Sequence, residues 1–348
     1  MSGRIQTPPR RRVADFDLLK KLFDLQVRAK IDPRLIACEV QAVSDGKMVK
    51  INGFSQFRQT DTYIRDTANE VFGETVVDFN LRILTKAHPL AFHEVKSCGA
   101  PFYKQALAKK EDMLTEALHG SVVRTYFSRD GFTFAQHPDG YVGYVPSDQL
   151  QKTTVDRYLR WKNGECAIVK APLPLNGVIV PPAARLIREN NNVQFADHKW
   201  HRVKKSEYRP VNPGSQDFKD SVLKAAESFT HTPYLWGGKT QNGIDCSGFV
   251  QTLAYQEGIR LPRDASMQAN FGEIVGYLPN YADLLPGDLL FFMNDKAYVF
   301  HVGIYLGNHT YIHSSGSQNV VQSSLKPGGP NYMSRYGKTF VFARRIHS

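Results

Sequence analysis

Cys246 is the residue of this chain best placed to act as a nucleophile. It stands between Asp245 and Ser247 in the segment GIDCSGFVQ. The run that follows, SGFVQTLAYQEG, has helical periodicity, so we predict a helix that starts at Cys246 and is capped by Asp245. The partial positive charge of first-turn N–H groups favours a thiolate there, which predicts an exposed, acidified thiol. Cys38 and Cys166 lie in strand patterns and are interpreted as small buried side chains.

Two histidines downstream supply a candidate base. In YVFHVGIYLGNHTYIHSS two strands flank the turn signal Gly307-Asn308, and His301 and His313 each lie six residues from Gly307. A hairpin centred there places the two histidines opposite one another on one face, where paired Cβ atoms are about 4.5–5.5 Å apart. A thiol, an imidazole and a polar group that orients it are the parts of cysteine-nucleophile catalysis. Zinc binding is the alternative, but no short pair of ligands marks such a site, and no metal or other cofactor is predicted.

Composition limits the possible classes. The chain has 348 residues, enough for two or three domains, and 42% are hydrophobic. Its four cysteines have no regular spacing, which argues against a disulfide scaffold or a zinc ribbon. Residues 215–348 hold eleven Lys and Arg against ten Asp and Glu, so nearly all of the net charge of +11 lies in residues 1–214. No zinc finger, phosphate loop or RNA-binding motif accompanies that charge, so no nucleic-acid partner is predicted.

No secretory or transmembrane segment is predicted, because charges interrupt every apolar run near the N-terminus. The expected location is therefore the cytoplasm, with secretion or wall association as the alternative.

The fold class is predicted as α+β with four regions. Residues 1–112 combine a Pro/Arg-rich arm, a helix around 15–30 and a strand-strand-helix-strand pattern, which resembles the BON domain or is a generic α+β module. Residues 113–150 are predicted as a first SH3-like barrel, since DGYVGYV at 139–145 resembles the last hairpin of bacterial SH3 domains. Residues 151–212 are predicted as a second barrel, in which ECAIVKAPLPL forms one strand. A Pro/Gly/Ser linker, YRPVNPGS, leads into a catalytic domain at 213–348.

The last region resembles the NlpC family of papain-like cell-wall peptidases over roughly residues 217–345. The resemblance rests on YLWGG at 234–238, DCSGFV at 245–250, LPRDASMQ at 261–268, LLPGDLLFF at 284–292, HVGIY at 301–305 and YIHSS at 311–315. It implies Cys246 as nucleophile, His301 as general base and acid, and His313 as the group that orients His301. Tyr234 is implied to line the site near the oxyanion, and the Cys246 N–H is a natural oxyanion donor.

SH3-like barrels before such a domain resemble the γ-D-glutamyl-L-diamino acid endopeptidases, which cut murein peptides and favour a free N-terminal L-Ala. That resemblance implies that Asp245 and Ser247 hold the substrate and that Trp236 lines the cleft. A tyrosine of the first barrel is implied to close the pocket. The residues implied to bind substrate are thus Asp245, Ser247, Asp264, and Tyr144 or Tyr141. The family pattern Arg-Asp-Ser appears here as Arg263-Asp264-Ala265, which lacks the hydroxyl.

Three alternatives stay open at the level of sequence. One is a hydrolase of intact peptidoglycan, whose basic N-terminal half grips anionic wall polymer. Another is a non-catalytic envelope-binding protein, which would have no need of the full Cys/His/His set. Acyl transfer on lipids is the third, but no lipid anchor or hydrophobic lid segment supports it. The expected partner is a murein peptide; the oligomeric state is not predicted.

Overall fold

The computed structural model describes residues 16–45, 47–87, 91–175, 177–210, 218–277 and 282–346. The predicted Pro/Arg-rich arm and most of the predicted linker lie outside these ranges. The chain divides into two compact units, residues 1–89 and 90–348. None of the described helices is long and apolar enough to cross a bilayer.

The first unit has the strand-strand-helix-strand order predicted from its hydrophobic pattern. Its elements are α1 (Phe16–Lys30), β1 (Cys38–Ser44), β2 (Met48–Ser55), α2 (Arg58–Phe72), β3 (Val76–Ile83) and the short α3 (Leu84–Ala87). β1 pairs antiparallel with β2, and β2 pairs parallel with β3. Ile64, Ala68 and Val71 recur at helical spacing on α2 and are buried against the sheet, where they form the core with Phe23 and Ile51.

A seven-stranded sheet opens the second unit, in the order β10-β4-β7-β8-β9-β5-β6. Its strands are β4 (Ala91–Val95), β5 (Gly99–Tyr103), β6 (Met113–Leu118), β7 (Val122–Arg129), β8 (Phe132–Gln136), β9 (Val142–Pro146) and β10 (Leu150–Thr153). The sheet therefore begins well before residue 113, the expected start of the first barrel. β4 is needed because it lies between β7 and β10, and β5 because it pairs with β6.

A five-stranded sheet follows, in the order β16-β15-β14-β11-β17, with a separate β12–β13 hairpin. The elements are α4 (Val155–Asn163), β11 (Cys166–Val169), β12 (Leu173–Leu175), β13 (Val178–Val180), β14 (Arg185–Glu189), β15 (Asn192–Gln194), β16 (Trp200–Arg202) and β17 (Tyr208–Pro210). The prediction of one strand over ECAIVKAPLPL is wrong, because the chain leaves the sheet after Val169 and β12 pairs only with β13. Pro172, which has no N–H to donate, lies at this break.

The last region contains a six-stranded sheet in the order β20-β25-β21-β22-β23-β24. Its elements are α5 (Phe218–Glu227), β18 (Lys239–Thr240), β19 (Gly243–Ile244), α6 (Cys246–Gln256), α7 (Ala265–Gln268), β20 (Glu273–Tyr277), β21 (Leu289–Met293), β22 (Val299–Gly307), β23 (Thr310–Ser315), β24 (Asn319–Ser324), α8 (Ser334–Gly337) and β25 (Phe340–Arg345). Beyond the two strands predicted on either side of Gly307-Asn308, the sheet contains β20, β21, β24 and β25.

Alternate residues of this sheet enter two cores. Leu289, Phe291, Val302, Ile304 and Ile312 pack on one face with α5 and α6. The other face packs against the aromatic residues of the C-terminal segment, with members Leu290, Phe292, Tyr305, Tyr311, Tyr336 and Phe340. α6 is buried along nearly its whole length, as is expected of a helix placed between a sheet and neighbouring domains. Its N-terminus is therefore fixed against β22, the strand that carries His301.

Candidate active site

Helix α6 begins at Cys246, as its sequence predicts, and Asp245 is its N-cap. The Asp245 carboxylate accepts a hydrogen bond from the Gly248 N–H at 2.7 Å, the usual bond of a capping carboxylate. Gly248 is required by close packing, since a Cβ there would lie 2.4 Å from the Gly238 carbonyl oxygen. The loop before the helix is thereby pressed against its first turn, which fixes the position of Cys246.

The prediction of an exposed, acidified thiol is wrong. Only 7% of Cys246 is exposed, and burial raises the pKa of its thiol to about 12, with a further increase from the Asp245 charge. The N–H groups of Val302 and Ser247 act in the opposite direction but do not overcome burial. Desolvation and the cap carboxylate therefore outweigh the partial charge of the helix N-terminus, and the resting group is a neutral thiol.

His301 and His313 lie on one face of the six-stranded sheet, as predicted, but they are not directly opposite. Asn308 and His309 form the turn with positive φ angles of 49° and 59°, and a bulge near Gly307 sets Ile304 opposite Ile312. Such a two-residue turn is typical of tight hairpins. The histidines are consequently offset along the strands, with ring centroids 4.9 Å apart.

The two imidazoles form a hydrogen-bonded chain that ends on a serine. His301 Nε2 lies 2.7 Å from His313 Nδ1, and His313 Nε2 lies 3.1 Å from Ser323 Oγ. Burial lowers the pKa of His313 to about 3, and burial together with His313 and Arg335 lowers the pKa of His301 well below its usual value. Both rings are therefore neutral at pH 7. A neutral imidazole has one donor and one acceptor nitrogen, so each bond in the chain is directional.

Tyr336 is a site residue that the sequence analysis missed. Its ring stacks on His301 at 4.3 Å between centroids and meets His313 edge-on at 4.8 Å. It is only 5% exposed. No sequence spacing links Tyr336 to the histidines, because it comes from the short helix α8, after the β24 strand. Its ring covers both imidazoles and keeps water from them.

Tyr234 and Trp236 differ in exposure. Tyr234 is half-buried, and its pKa is raised mainly by burial, with smaller contributions from the neighbouring ionisable groups Cys246 and Asp245. Its hydroxyl therefore belongs to the immediate surroundings of the thiol. Trp236 is 62% exposed, so it contributes a large apolar surface next to the site rather than core packing.

Arg263 has a larger role in the site than the sequence analysis gave it. Its guanidinium donates two hydrogen bonds to the Asp245 carboxylate, at 2.9 and 2.6 Å, and one to Ser247 Oγ at 3.0 Å. Asp245 also accepts from the Gly237 N–H at 2.7 Å. With the Gly248 bond, both carboxylate oxygens are fully engaged and the charge is neutralised. The prediction that Asp245 receives a substrate amine is not supported by this arrangement, and Ser247 is likewise engaged internally.

The two tyrosines proposed to close the pocket are both 1% exposed. Tyr144 lies inside the seven-stranded sheet domain, with its ring 4.8 Å from Phe134 and under the guanidinium of Arg129, so it cannot form a wall of the cleft. Tyr141 lies near Arg263 of the last region, because it is among the groups that affect the Arg263 pKa. Burial lowers that pKa, but Asp245, followed by Asp139 and Tyr141, raises it overall.

Strand β6 of the seven-stranded sheet joins the first domain to the site. Thr115 Oγ1 accepts a bond from Arg263 Nε at 2.9 Å, and Glu116 Oε2 accepts one from the Lys239 N–H at 2.9 Å. A Cβ on Gly237 would lie 2.8 Å from the Met113 side chain. The loop that carries Trp236 and the pair Asp245–Arg263 is thus buttressed by another domain. Among the described residues no set of three His, Cys, Asp or Glu side chains is grouped to hold a metal ion.

Comparison with known proteins identifies two families in the second unit. The model of the NlpC/P60 family matches residues 231–336, and the bacterial dipeptidyl-peptidase Sh3 domain matches residues 107–150. The Haemophilus influenzae protein named probable endopeptidase NlpC homolog is 38% identical over 175 residues, which cover 47% of this chain and 85% of that protein. The fold and the site define an α+β protein with a buried thiol at a helix start and two hydrogen-bonded, buried imidazoles in the same domain. The chain belongs to the NlpC/P60 family.

Two further matches are longer than the last region of the chain. The γ-D-glutamyl-L-lysine dipeptidyl-peptidase of Bacillus subtilis is 32% identical over 192 residues, or 51% of this chain and 61% of that protein. A crystal structure of a NlpC/P60 family protein from Bacillus cereus has a TM-score of 0.61 at 21% identity and covers 74% of this chain and all of that one; it supports the fold. The chain spans 38–63% of the length of three curated relatives that it matches.

Proposed function

We propose that the protein is a cysteine endopeptidase that hydrolyses murein stem peptides at the bond between γ-D-Glu and the diamino acid. The observation that carries the proposal is the placement of Cys246, at the start of α6 and against β22, in the same domain as the His301–His313–Ser323 chain. The name of the B. subtilis relative supplies the bond that is cut.

The hydrogen-bonded chain supports a separate role for each imidazole. His301 Nε2 is bonded to His313, which leaves Nδ1 as the nitrogen that receives the Cys246 proton. Nε2–H must then donate to His313 Nδ1, and His313 Nε2–H donates to Ser323 Oγ. His313 is thus the acceptor that stabilises the imidazolium formed on His301.

The reaction follows from these positions. Cys246 loses its proton to His301 as its sulfur attacks the carbonyl carbon of γ-D-Glu, and the Cys246 N–H bonds the developing oxyanion. The C–N bond breaks as His301 returns the proton to the leaving amine of the diamino acid. Water, deprotonated by His301, then hydrolyses the thioester. Because thiol and imidazole are both neutral at rest, proton transfer accompanies attack rather than preceding it.

A preference for a free N-terminal L-Ala is part of the proposal. Met113 and Thr115 of the Sh3 domain lie against the site loops, which supports a cleft closed at one end. Asp264, which the resemblance implies to bind substrate, is half-buried at the N-terminus of α7 and is included in the proposed substrate site. Such a specificity suits peptides released from the wall, and therefore a recycling role in the cytoplasm.

Mass spectrometry of two substrates tests this function. The free peptide L-Ala-γ-D-Glu-diaminopimelate is incubated with the protein beside the same stem attached to N-acetylmuramic acid, with Cys246→Ala as the control. Release of L-Ala-D-Glu from the free peptide alone supports the recycling peptidase. Cleavage of both substrates supports a hydrolase of intact wall, for which the basic residues 1–214 are suited. If neither is cut, the proposed substrate class is wrong.

A further inference from the structure

The chain after β24 brings the aromatic ring of Tyr336 onto the face of the sheet that carries the two histidines. Tyr336 is 5% exposed. Its ring stacks on the His301 imidazole with 4.3 Å between centroids and 28° between planes. The same ring meets the His313 imidazole at 85°, with centroids 4.8 Å apart. A single side chain therefore contacts both members of the hydrogen-bonded imidazole pair.

The position of this ring is fixed by its own turn and by the core behind it. The Tyr336 and Gly337 N–H groups both donate to the Met333 carbonyl, at 3.0 and 2.9 Å. A Cβ on Gly337 would lie 2.2 Å from a ring atom of Tyr332, so the turn is packed without spare room. Phe292 of β21 meets the Tyr336 ring at 71°, with 5.7 Å between centroids. The ring is thus a rigid support for whatever lies against its face.

Proton transfer in the proposed reaction requires one orientation of the His301 ring. A half-turn about the Cβ–Cγ bond exchanges Nδ1 and Nε2, which would break the 2.7 Å bond from Nε2 to His313. Such a turn passes through an orientation perpendicular to the present one, and the Tyr336 ring at 4.3 Å leaves no room for it. The hydrogen bond therefore selects the orientation, and the stacked ring prevents His301 from leaving it.

Cys246 lies beside the same stretch of β22. The Val302 N–H, which belongs to the residue after His301, is among the groups that lower the Cys246 pKa, so the thiol is close to this backbone group. Because thiol and imidazole are both neutral at rest, the proton moves only while the two side chains are aligned. A misplacement of about 1 Å can lower a rate by about 10²-fold. A residue that fixes the plane of His301 therefore acts on the rate without contacting the reacting bond.

We infer that Tyr336 is a positioning residue for the reaction: its ring, and not its hydroxyl, keeps the His301 imidazole in the plane that proton transfer requires and shields it from water. The inference rests on the proposed function and adds a residue from outside the Cys/His/His set.

The shielding also affects the protonation of His301. Burial is the largest of the causes that lower the His301 pKa, followed by His313 and Arg335. Apart from Tyr336 itself, the titratable groups around this imidazole are His313 of β23, Arg335 of α8 and the neutral thiol of Cys246 on α6. Removal of the Tyr336 ring admits water, so the His301 pKa should move up toward its ordinary value.

Three variants of the full chain separate the ring from the hydroxyl and from general packing. Tyr336→Leu removes the ring and Tyr336→Phe keeps it. Tyr305→Leu is the matched control, because Tyr305 is also 5% exposed and belongs to the same core, but its hydroxyl accepts the His309 N–H in the turn after β22.

Hydrolysis of L-Ala-γ-D-Glu-diaminopimelate is the first measurement. Tyr336→Leu is expected to lower kcat at least about 30-fold while KM stays within about threefold. Tyr336→Phe and Tyr305→Leu are expected to keep at least about a third of the wild-type kcat. Equal losses in Tyr336→Phe and Tyr336→Leu would assign the effect to the hydroxyl, and equal losses in Tyr305→Leu and Tyr336→Leu would assign it to packing. Either result overturns the inference.

NMR of the ¹⁵N-histidine-labelled chain needs no substrate, so it separates a failure of this inference from a failure of the proposed function. The His301 signals are assigned by their loss in His301→Gln. In Tyr336→Leu the protonated fraction of His301 at pH 6 is expected to exceed that of wild type by at least about tenfold, whereas Tyr336→Phe and Tyr305→Leu match wild type. If these titrations are observed but wild type does not cut the peptide, the proposed function is wrong and the role of Tyr336 toward His301 is retained. An unchanged titration in Tyr336→Leu overturns the inference whether or not the peptide is cut.

A second variant covers the case in which Tyr336→Leu does not fold. Tyr336→Met then takes its place with the same expected results, because a flexible unbranched side chain fills the space without a flat face. The wild-type chain gives an independent check, since ring protons of His301 and Tyr336 should show nuclear Overhauser contacts. Their absence contradicts the stack.

Discussion

Replacement of Asp245 by asparagine tests how far the active site depends on its buried ion pair. The side chains of Asp245 and Arg263 are 7% and 2% exposed, and two hydrogen bonds of 2.9 and 2.6 Å join them. Asparagine retains an oxygen for the Gly248 cap, so the change removes the charge with little effect on the cap. Removing one partner of a buried ion pair costs about 3–5 kcal/mol, since the other charge stays buried. A shift of about 2–4 °C per kcal/mol gives a Tm lower by about 6–20 °C.

A surface pair provides the matched control. Arg188 and Glu165 are also joined at 2.9 Å, but Glu165 is 72% exposed, so Glu165→Gln is expected to cost less than about 1 kcal/mol. Urea and thermal unfolding of the full chain measure both variants. In Asp245→Asn combined with Arg263→Met, the loss is expected to be smaller than the sum of the single losses by about 1–3 kcal/mol. A loss for Asp245→Asn no larger than that of Glu165→Gln, or strict additivity, would refute the reasoning.

Four further predictions concern single residues of the site. Cys246→Ala lowers kcat by at least about 10³-fold with an unchanged Tm; residual turnover above a tenth of wild type contradicts the nucleophile assignment. His301→Ala reduces kcat more than His313→Ala, because only His301 moves the proton; the reverse order exchanges their roles. Asp264→Asn raises KM for the free peptide with kcat nearly unchanged, and an unchanged KM removes Asp264 from substrate binding. The folded pKa of His313, about 3, lies below its unfolded value of 6.5, so its stabilising contribution is complete above pH 6.5 and is lost as the pH falls from 6.5 toward 3. Unfolding followed between pH 7 and pH 4 should therefore show a steeper loss of stability in wild type than in His313→Gln, and equal slopes contradict the prediction.

Much of the site was predictable because local rules govern it. The capped helix start at Cys246 follows from Asp245 and the apolar run, and period-two alternation places His301 and His313 on one face. The predicted register of the β22–β23 hairpin was wrong, because the number of residues on each side of Gly307 does not reveal a turn at Asn308-His309 or the bulge beside it. The predicted direction of the Cys246 pKa shift was wrong, because helix periodicity alone does not show how deeply the first turn is buried.

Site residues that come from distant parts of the sequence could not be predicted. Tyr336 reaches the histidines only because α8 packs on the second face of the sheet, and Ser323 only because β24 pairs with β23. Arg263 was visible as a sequence pattern, but its bond to Asp245 depends on a loop crossing that no spacing encodes. The start of the seven-stranded sheet was misplaced for a similar reason, because β4 and β5 pair with strands far along the chain.

The most direct test of the account is to trap the acyl-enzyme. The wild-type chain is mixed with L-Ala-γ-D-Glu-diaminopimelate, quenched in acid within the first turnover, and its intact mass is measured, followed by peptide mapping. We predict an increase equal to one L-Ala-D-Glu acyl group, carried by Cys246 alone and missing from Cys246→Ala. Cleavage of the peptide with an acyl group on another residue, or continued cleavage by Cys246→Ala, would contradict the account.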